Sequence, residues 1–487
     1  MFENEFLITT PESKKSYQQL IEKAVEVTLS SLPDLAYNGK HASELSSVLA
    51  SEVLPQAGFS AGEVFANLRT IVSNSVFVSH PNTAAHLHCP PLACALAAEI
   101  VISALNQSMD SFDQAPIATV LEQQMIRWLV AQTGLSSTAG GTFTTGGTQS
   151  NYMGLLLARD AVLQSRWNWS GQKSGLPPEA RRLRILCSEV AHFSVEKAAS
   201  QLGLGTDAVV KVAVDAQFRM MLSALTDSLE SLRKEGLIPL SVVATAGTTD
   251  FGSIDPLPEI SSAARQAGAW FHVDAAYGGS LLFSVRHRDK LRGIESADSV
   301  AIDFHKLLWQ PIPCAAFLVS DARHFESMKL HADYLNPHLH DEQGIPNLVT
   351  TSLLTSRRFD ALKLWISLQS LGWEKLGSML DRTLELARVA AKAVRNTPHL
   401  ELLHESVLTT VLFRYVPSRS SIDVDEFNVR LRQFLFERGI AVIGHTRVGG
   451  RQCLKFTCMN PTVSDAQMQA LVQIISSTGE QLEKEEA

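Results

Sequence analysis

The sequence lacks several features that would mark a secreted, membrane-bound or nucleic-acid-binding protein. Its six cysteines, Cys89, Cys94, Cys187, Cys314, Cys453 and Cys458, form no C-x-x-C pair. They read as small buried hydrophobes in a reduced, cytoplasmic setting. There is no basic surplus: 42 Lys and Arg stand against 50 Asp and Glu, a formal net charge of -8 spread along the chain. Neither nucleic acid nor an anionic membrane is therefore expected as the main partner. The first residues, MFENEFLITTPESKK, show no basic stretch followed by an apolar one, so no secretory signal is expected. No uncharged apolar run is long enough to span a bilayer; the best candidate, PPLACALAAEIVISALNQS, is broken by Glu99 and reads as a core helix. Internal repeats and low-complexity segments are also missing. What is present is 487 residues, 45% hydrophobic and 19% charged, enough for a large core and more than one domain.

Three regions follow from the apolar pattern. Residues 1–92 read as a helical segment, with YQQLIEKAVEVTLSSL amphipathic at helical spacing and HCPPL as a break. Residues 93–360 alternate short apolar strands with longer helices: RRLRILCS, AVVKVAVD, IPLSVVATAGTT, AWFHVDAAYGG, ADSVAIDFHK and CAAFLVS are the strands. That alternation predicts an α/β fold, a central mostly parallel sheet with helices on both faces. Residues 361–487 return to long helices with a few strands, a smaller α+β domain.

In such a sheet ligands sit outside the carboxyl ends of the strands, and four loops stand there. In TFTTGGTQSNYMGLLLARD, Gly146 and Gly147 precede Thr148, Gln149 and Ser150 at a helix start, where close backbone approach and free amides favour an anion. An ordinary glycine turn with a hydroxyl cap has the same look. In HVDAAYGGS, Asp274 ends an apolar run, and a carboxylate there needs a cation or a cap. In SVAIDFHKLLWQ, Lys306 is walled by Phe304, Leu307, Leu308 and Trp309. Such walls disfavour the ammonium and make the amine nucleophilic, unless the lysine snorkels to water. In SEVAHFSVEKAA, His192 follows a strand and precedes a helix, placed to stack, to donate a proton or merely to cap. Each is weak alone. A phosphate cradle, a buried acid, a reactive lysine and a stacking imidazole together suit pyridoxal 5'-phosphate.

These motifs, in this order, resemble the group II pyridoxal-phosphate amino acid decarboxylases of fold type I, over nearly the whole chain from HPNTAAHLHCPP onward. HVDAAYGGS lies 32 residues before the lysine of the His-Lys pair, and VAHFSVEKAA and ATAGTTDFGSID accompany it. The resemblance implies that Lys306 carries the cofactor's aldehyde and Asp274 pairs with the pyridine nitrogen. Ala276 then lies under the ring and His192 stacks on its other face. Gly147, Thr148 and Ser150 serve the phosphate, Thr249 the ring hydroxyl, and His305 the phosphate again. Where the family often has Asn-Pro before His-Lys, this chain has Asp303-Phe304; an ionised Asp303 would be repelled by a phosphate, which puts that contact in doubt. Tyr334, in HADYLNPHLHDEQG, matches a mobile-loop tyrosine that returns a proton to the substrate carbon.

The implied reaction is loss of the α-carboxyl group of an amino acid, with the acid at Asp274 stabilising the negative charge left behind. The pocket is expected to draw on His86, His88, Cys89 and Phe112, in a segment that also carries Asp110, Asp113 and Gln114. Polar, partly acidic surroundings suit a substrate with a second amine. The segment resembles the bacterial L-2,4-diaminobutyrate decarboxylases and the lysine and ornithine decarboxylases of siderophore pathways. A diamino acid is thus expected first, with aromatic amino acids and glutamate as alternatives. An aminotransferase would need an arginine clamp, for which Arg447 or Arg451 would serve, and a non-catalytic scaffold would lack the yellow cofactor colour. The residue types of His80, His86, His88 and Cys89 would suit a metal, but nothing else supports one and none is expected. The family's architecture implies a homodimer with sites at the interface, the N-terminal helices wrapping the partner.

Overall fold

The computed structural model describes residues 5–49, 56–405 and 407–485. The chain forms two compact units: Met1–His86 with Leu386–Leu403 and Val411–Ala487, and Leu87–Glu385 with His404–Thr410. Among the described residues there are twelve strands, numbered along the chain. They are β1 (Thr83–Ala84), β2 (Gly140–Thr144), β3 (Leu183–Ser188), β4 (Val209–Val212), β5 (Ile238–Thr245), β6 (Trp270–Asp274), β7 (Ser299–Asp303), β8 (Ala315–Val319), β9 (Leu400–Glu405), β10 (Thr410–Tyr415), β11 (Val442–Val448) and β12 (Arg451–Thr457).

The larger unit is built on a seven-stranded sheet in the order β2-β8-β7-β6-β5-β3-β4. Strands β7, β6, β5, β3 and β4 run parallel. Only β8 runs against its neighbours β7 and β2. The mostly parallel sheet expected from strand-helix alternation is therefore present. Every residue of β6, β7 and β8 is buried. Helices cover both faces of such a sheet, which is why its strands read as unbroken apolar runs rather than alternating ones. Full burial of a side chain such as Phe317, at 0% exposure, contributes about 1.5–3 kcal/mol. Left-handed Gly134 and Gly268 end the helices Pro116–Thr133 and Leu257–Ala267 and turn the chain back toward the sheet.

The helix Ala93–Leu105 is the apolar segment that Glu99 interrupts. Glu99 is explained by its partners: it pairs with Arg358 and lies 2.9 Å from Nζ of the fully buried Lys363. Ala95, Ala98 and Ile102 face inward, whereas Leu96, Ile100, Val101 and Leu105 are exposed. Among the described residues no helix is long and apolar enough to cross a membrane.

The smaller unit carries a five-stranded sheet, β1-β11-β12-β10-β9. Its core gathers Phe413, Tyr415, Phe427, Leu431, Phe456 and Leu471. The N-terminal residues are helical as expected over Pro11–Ser30, Ala42–Val48 and Ala61–Ser73, with Thr10 and Ser60 as caps. They also supply β1, which pairs in parallel with β11. Two residues are too few to leave a periodic trace in the sequence. All six cysteines are free thiols.

Candidate active site

Three neighbouring parallel strands end side by side: Thr245 of β5 is in register with Asp274 of β6, which is in register with Ala301 of β7, two residues before that strand's last residue, Asp303. A turn after β7 carries His305 and Lys306. The helix Gly147–Trp167 starts three residues after β2. These ends enclose a cavity of about 310 Å³. Gly147, Thr148, His192, Thr249, Asp274, Ala276, Asp303, His305 and Lys306 all line it, so nine candidates scattered over the sequence meet at one place. A second cavity in the same unit, about 500 Å³ and lined by Arg219, Lys290 and Arg292 among others, holds none of them.

Asp274 is 5% exposed. Its Oδ1 accepts the Ala276 N–H at 3.1 Å and its Oδ2 accepts Nδ2 of Asn151 at 2.8 Å. His192 is a part-buried imidazole whose Nδ1 accepts the Ser194 hydroxyl at 2.8 Å and the Ser194 N–H at 3.3 Å. Burial pushes its pKa below the ordinary value, against the pull of the Asp274 carboxylate. Burial likewise lowers His305, whose Nδ1 lies 2.9 Å from the Cys314 carbonyl.

The lysine's surroundings differ from the expectation. Phe304, Leu307, Leu308 and Trp309 are almost wholly buried, but Lys306 Nζ lies 3.0 Å from Asp303 Oδ2. The apolar residues wall the turn; the amine itself meets a carboxylate. Asp303, 3% exposed, also faces His305 Nε2 at 3.6 Å.

Other candidates lie elsewhere. The Ser150 hydroxyl is bound to Thr144 at 2.7 Å and the Ala316 carbonyl at 3.4 Å, beside the cavity but turned from it. Cys89 donates to the His305 carbonyl at 3.3 Å, next to the lysine, and burial pushes its thiol up to about 12. Phe112 N–H donates to Asn347 Oδ1 at 3.0 Å. Neither Cys89, Phe112 nor His88 lines the cavity. His86 belongs to the smaller unit, as do Arg447 and Arg451 on the β11–β12 hairpin. Tyr334 is 89% exposed. Near it in sequence, His331, His338 and Asp341 cluster closely enough to hold a metal, but the Lys329 ammonium sits 2.6 Å from Asp341 and already neutralises it.

Asn151, Thr245, Gly247 and Tyr277, which no motif singles out, also line the cavity, as does Gln149 of the helix start. Three of its lining residues carry a buried polar atom with no hydrogen-bond partner among the described residues: Gln149 Nε2, Thr245 Oγ1 and Asp303 Oδ1. A Cβ added at Gly147 would stand 2.9 Å from Ala276 Cβ and 3.2 Å from Asp303 Oδ2, so only glycine fits the mouth of the helix there. Free amides of a first helical turn and an orphaned amide donor suit a phosphate. The held carboxylate suits a cationic ring nitrogen, and the amine an aldehyde. The donor set thus fits pyridoxal phosphate.

Comparison with known proteins points the same way. Residues 45–416 match the pyridoxal-dependent decarboxylase conserved domain. The chain is 41% identical over 480 residues to an L-2,4-diaminobutyrate decarboxylase of Acinetobacter baumannii, covering 96% of this chain and 94% of that protein. It is 39% identical over 488 residues to one of Rhizobium meliloti (strain 1021), covering 99% and 96%. Mouse cysteine sulfinic acid decarboxylase is 31% identical over 458 residues, covering 91% of each. Among solved structures, the glutamate decarboxylase domain of diaminobutyrate-pyruvate transaminase and L-2,4-diaminobutyrate decarboxylase from Vibrio parahaemolyticus superimposes with a TM-score of 0.91 at 38% identity, covering 99% of both chains.

Proposed function

This chain belongs to the pyridoxal-dependent decarboxylase family, and on that premise we propose that its substrate is L-2,4-diaminobutyrate, released as 1,3-diaminopropane and carbon dioxide. The chain is a carboxy-lyase of fold type I that acts on an amino acid with pyridoxal 5'-phosphate. The observation that carries the substrate reading is the match, over nearly the whole chain, to two relatives that bear that name. Asp110 and Asp113 add support. They stand on either side of Ser111 and Phe112, outside the cavity lining, and an acidic segment of this kind would suit a second substrate ammonium.

Bound in the cavity, the cofactor supplies an electron sink for the pair of electrons left on Cα when carbon dioxide departs. Lys306 would hold it by its aldehyde. The amides of Gly147 and Thr148, Gln149 Nε2 and His305 would hold its phosphate, and Thr249 its ring hydroxyl. Ala276 and His192 would cover the two ring faces. Asp274 would pair with the ring nitrogen and favour its cationic form, since a carboxylate in a dry site favours a cationic partner. Asp303 holds the Lys306 amine in place and takes up its charge. Tyr334 Oη returns a proton to Cα; its exposure leaves it free to close over the substrate, and closing excludes water.

The exposed Leu96, Ile100, Val101 and Leu105 lie on a helix that buries only Ala95, Ala98 and Ile102. A second copy of this chain would cover it, completing a homodimer. Light scattering is expected to return the mass of two chains; a stable monomer at working concentration refutes the pairing. A cytoplasmic setting accords with six free thiols, and cell fractionation tests it.

The substrate test is carbon dioxide release across a panel: L-2,4-diaminobutyrate, ornithine, lysine, glutamate, cysteine sulfinate and an aromatic amino acid, each with added pyridoxal phosphate. Diaminobutyrate is expected to exceed ornithine, one methylene longer, by about 10–200-fold in kcat/KM. Preference for glutamate or an aromatic amino acid would overturn the assignment. Keto acid without carbon dioxide would mark an aminotransferase.

A further inference from the structure

We propose that Asn151 is a positioning residue that sets the direction of hydrogen bonding beneath the cavity, presenting a donor to Asp274 and fixing His192 with its proton on Nε2. The inference rests on the reading of Asp274 as the ring-nitrogen partner and extends it to the hydrogen bonds behind that acid.

The direction follows from groups that have no choice. An indole N–H only donates, and an ionised carboxylate only accepts. Trp270 Nε1 donates to Ser299 Oγ at 2.8 Å, which leaves the Ser299 proton available to His272 Nδ1, also at 2.8 Å. With Ser299 donating there, the proton of His272 is on Nε2, which donates to Asn151 Oδ1 at 2.9 Å. From the other end, Asp274 Oδ2 accepts at 2.8 Å and demands the Nδ2 side of the same amide. Asp274 therefore imposes one orientation on Asn151, which turns Oδ1 to the N–H of a neutral His272, and the Trp270–Ser299 end agrees with it. Its second Nδ2 proton goes to Ser194 Oγ at 2.9 Å, and His192 Nδ1, which already accepts the Ser194 N–H at 3.3 Å, accepts the Ser194 hydroxyl proton at 2.8 Å as well. Reversing the amide would set a carbonyl against a carboxylate and an NH₂ against an N–H, both in the core.

Two further features fit. His272 is 0% exposed, and burial depresses its pKa to about 4, so it stays neutral and keeps one acceptor nitrogen for Ser299. The helix makes room for it: a Cβ at Gly154 would lie 2.6 Å from His272 Nδ1 and 3.1 Å from Ser299 Oγ. Gly147, Asn151 and Gly154 share a helix face, at spacings of four and three. One face of this helix thus admits the phosphate region, bridges the acid and seats the imidazole.

Neutron diffraction from deuterated crystals of the full chain loaded with pyridoxal phosphate reads the proposal directly. Deuterons are expected on Nε2 of His272 and of His192, with Asn151 Nδ2 toward Asp274; a deuteron on Nδ1 of either ring, or a reversed amide, overturns it. Asn151→Ala is expected to weaken cofactor binding and lower kcat about 10–100-fold, with KM changed less than about twofold. The near-isosteric Asn151→Asp keeps the fold testable. Its new carboxyl group can donate to Asp274 only while protonated, so its kcat relative to the unsubstituted enzyme is expected to fall as pH rises. The titratable groups around it are Asp274, His272 and, through Ser194, His192, with Asp303 and Lys306 across the cavity. A flat relative profile overturns the proposal. Asp274→Ala separates the two levels: if it keeps its rate, the ring-nitrogen reading is lost. If it is inactive while Asn151→Ala binds cofactor and turns over normally, only this inference is lost.

Discussion

Lys306→Ala is expected to lower decarboxylation by on the order of 10⁴-fold or more, the scale seen when a covalent catalytic group is removed. Borohydride treatment of the loaded enzyme, followed by peptide mapping, is expected to label Lys306 in the unsubstituted chain and nothing in the variant. A competing lysine is easy to name. Lys363 is fully buried, but its Nζ is bound to the Pro313 carbonyl at 2.6 Å, Asp360 at 2.8 Å and Glu99 at 2.9 Å. It lines neither of the two cavities described above, so a label there would refute the site. The alanine variant also strands the buried Asp303 carboxylate, so a stability loss of about 1–3 kcal/mol is expected in a thermal melt. Tyr334→Phe gives the contrast: labelling at Lys306 persists while kcat drops about 10²–10⁴-fold, the range of a lost general acid. If the phenylalanine variant turns over normally, the proton comes from elsewhere.

Asp274→Asn is the second large effect, with kcat expected to fall about 10³-fold, or about 4 kcal/mol of transition-state stabilisation. The substitution keeps the volume and removes the charge that holds a proton on the ring nitrogen. It also creates a local conflict. Ala276 N–H and Asn151 Nδ2 both donate to the carboxylate, and the amide of Asn151 is bound on its other side to His272. The new side chain must then turn an NH₂ toward one of two donors. Weaker cofactor binding is therefore expected along with the slower rate. Steady-state kinetics at saturating cofactor separates the two; an unchanged kcat there would end the ring-nitrogen argument.

Much of this was visible in the sequence because strand ends are. Runs such as Trp270–Asp274 and Ser299–Asp303 are buried throughout and stop at an acid, so the polar residue after the apolar run marks the sheet's carboxyl edge. Glycines before a helix were equally plain. Other features were hidden for physical reasons. Lys306 was read as walled by its apolar neighbours, but sequence proximity does not tell which way a turn aims its side chains. Ser150 and Asn151 are adjacent on one helix, and no pattern says that the first faces Thr144 and Ala316 while the second faces Asp274. An asparagine within a helix is unremarkable by propensity. The signal that could have found it is the row of small residues at Gly147, Ser150 and Gly154, which marks a face pressed closely against something else. Strand β1 escaped because its pairing partner lies more than 350 residues away in the chain.

The state of the cysteines has a practical consequence. Thiolates, not thiols, are attacked by alkylating agents and oxidants, and burial pushes Cys89 to about 12 and Cys187 to about 11. Purification in aerated buffer without a reducing agent should therefore leave these two sulfurs intact. Omitting the reductant has a second benefit: dithiols add to aldehydes, so a preparation free of them keeps its pyridoxal phosphate chemically whole.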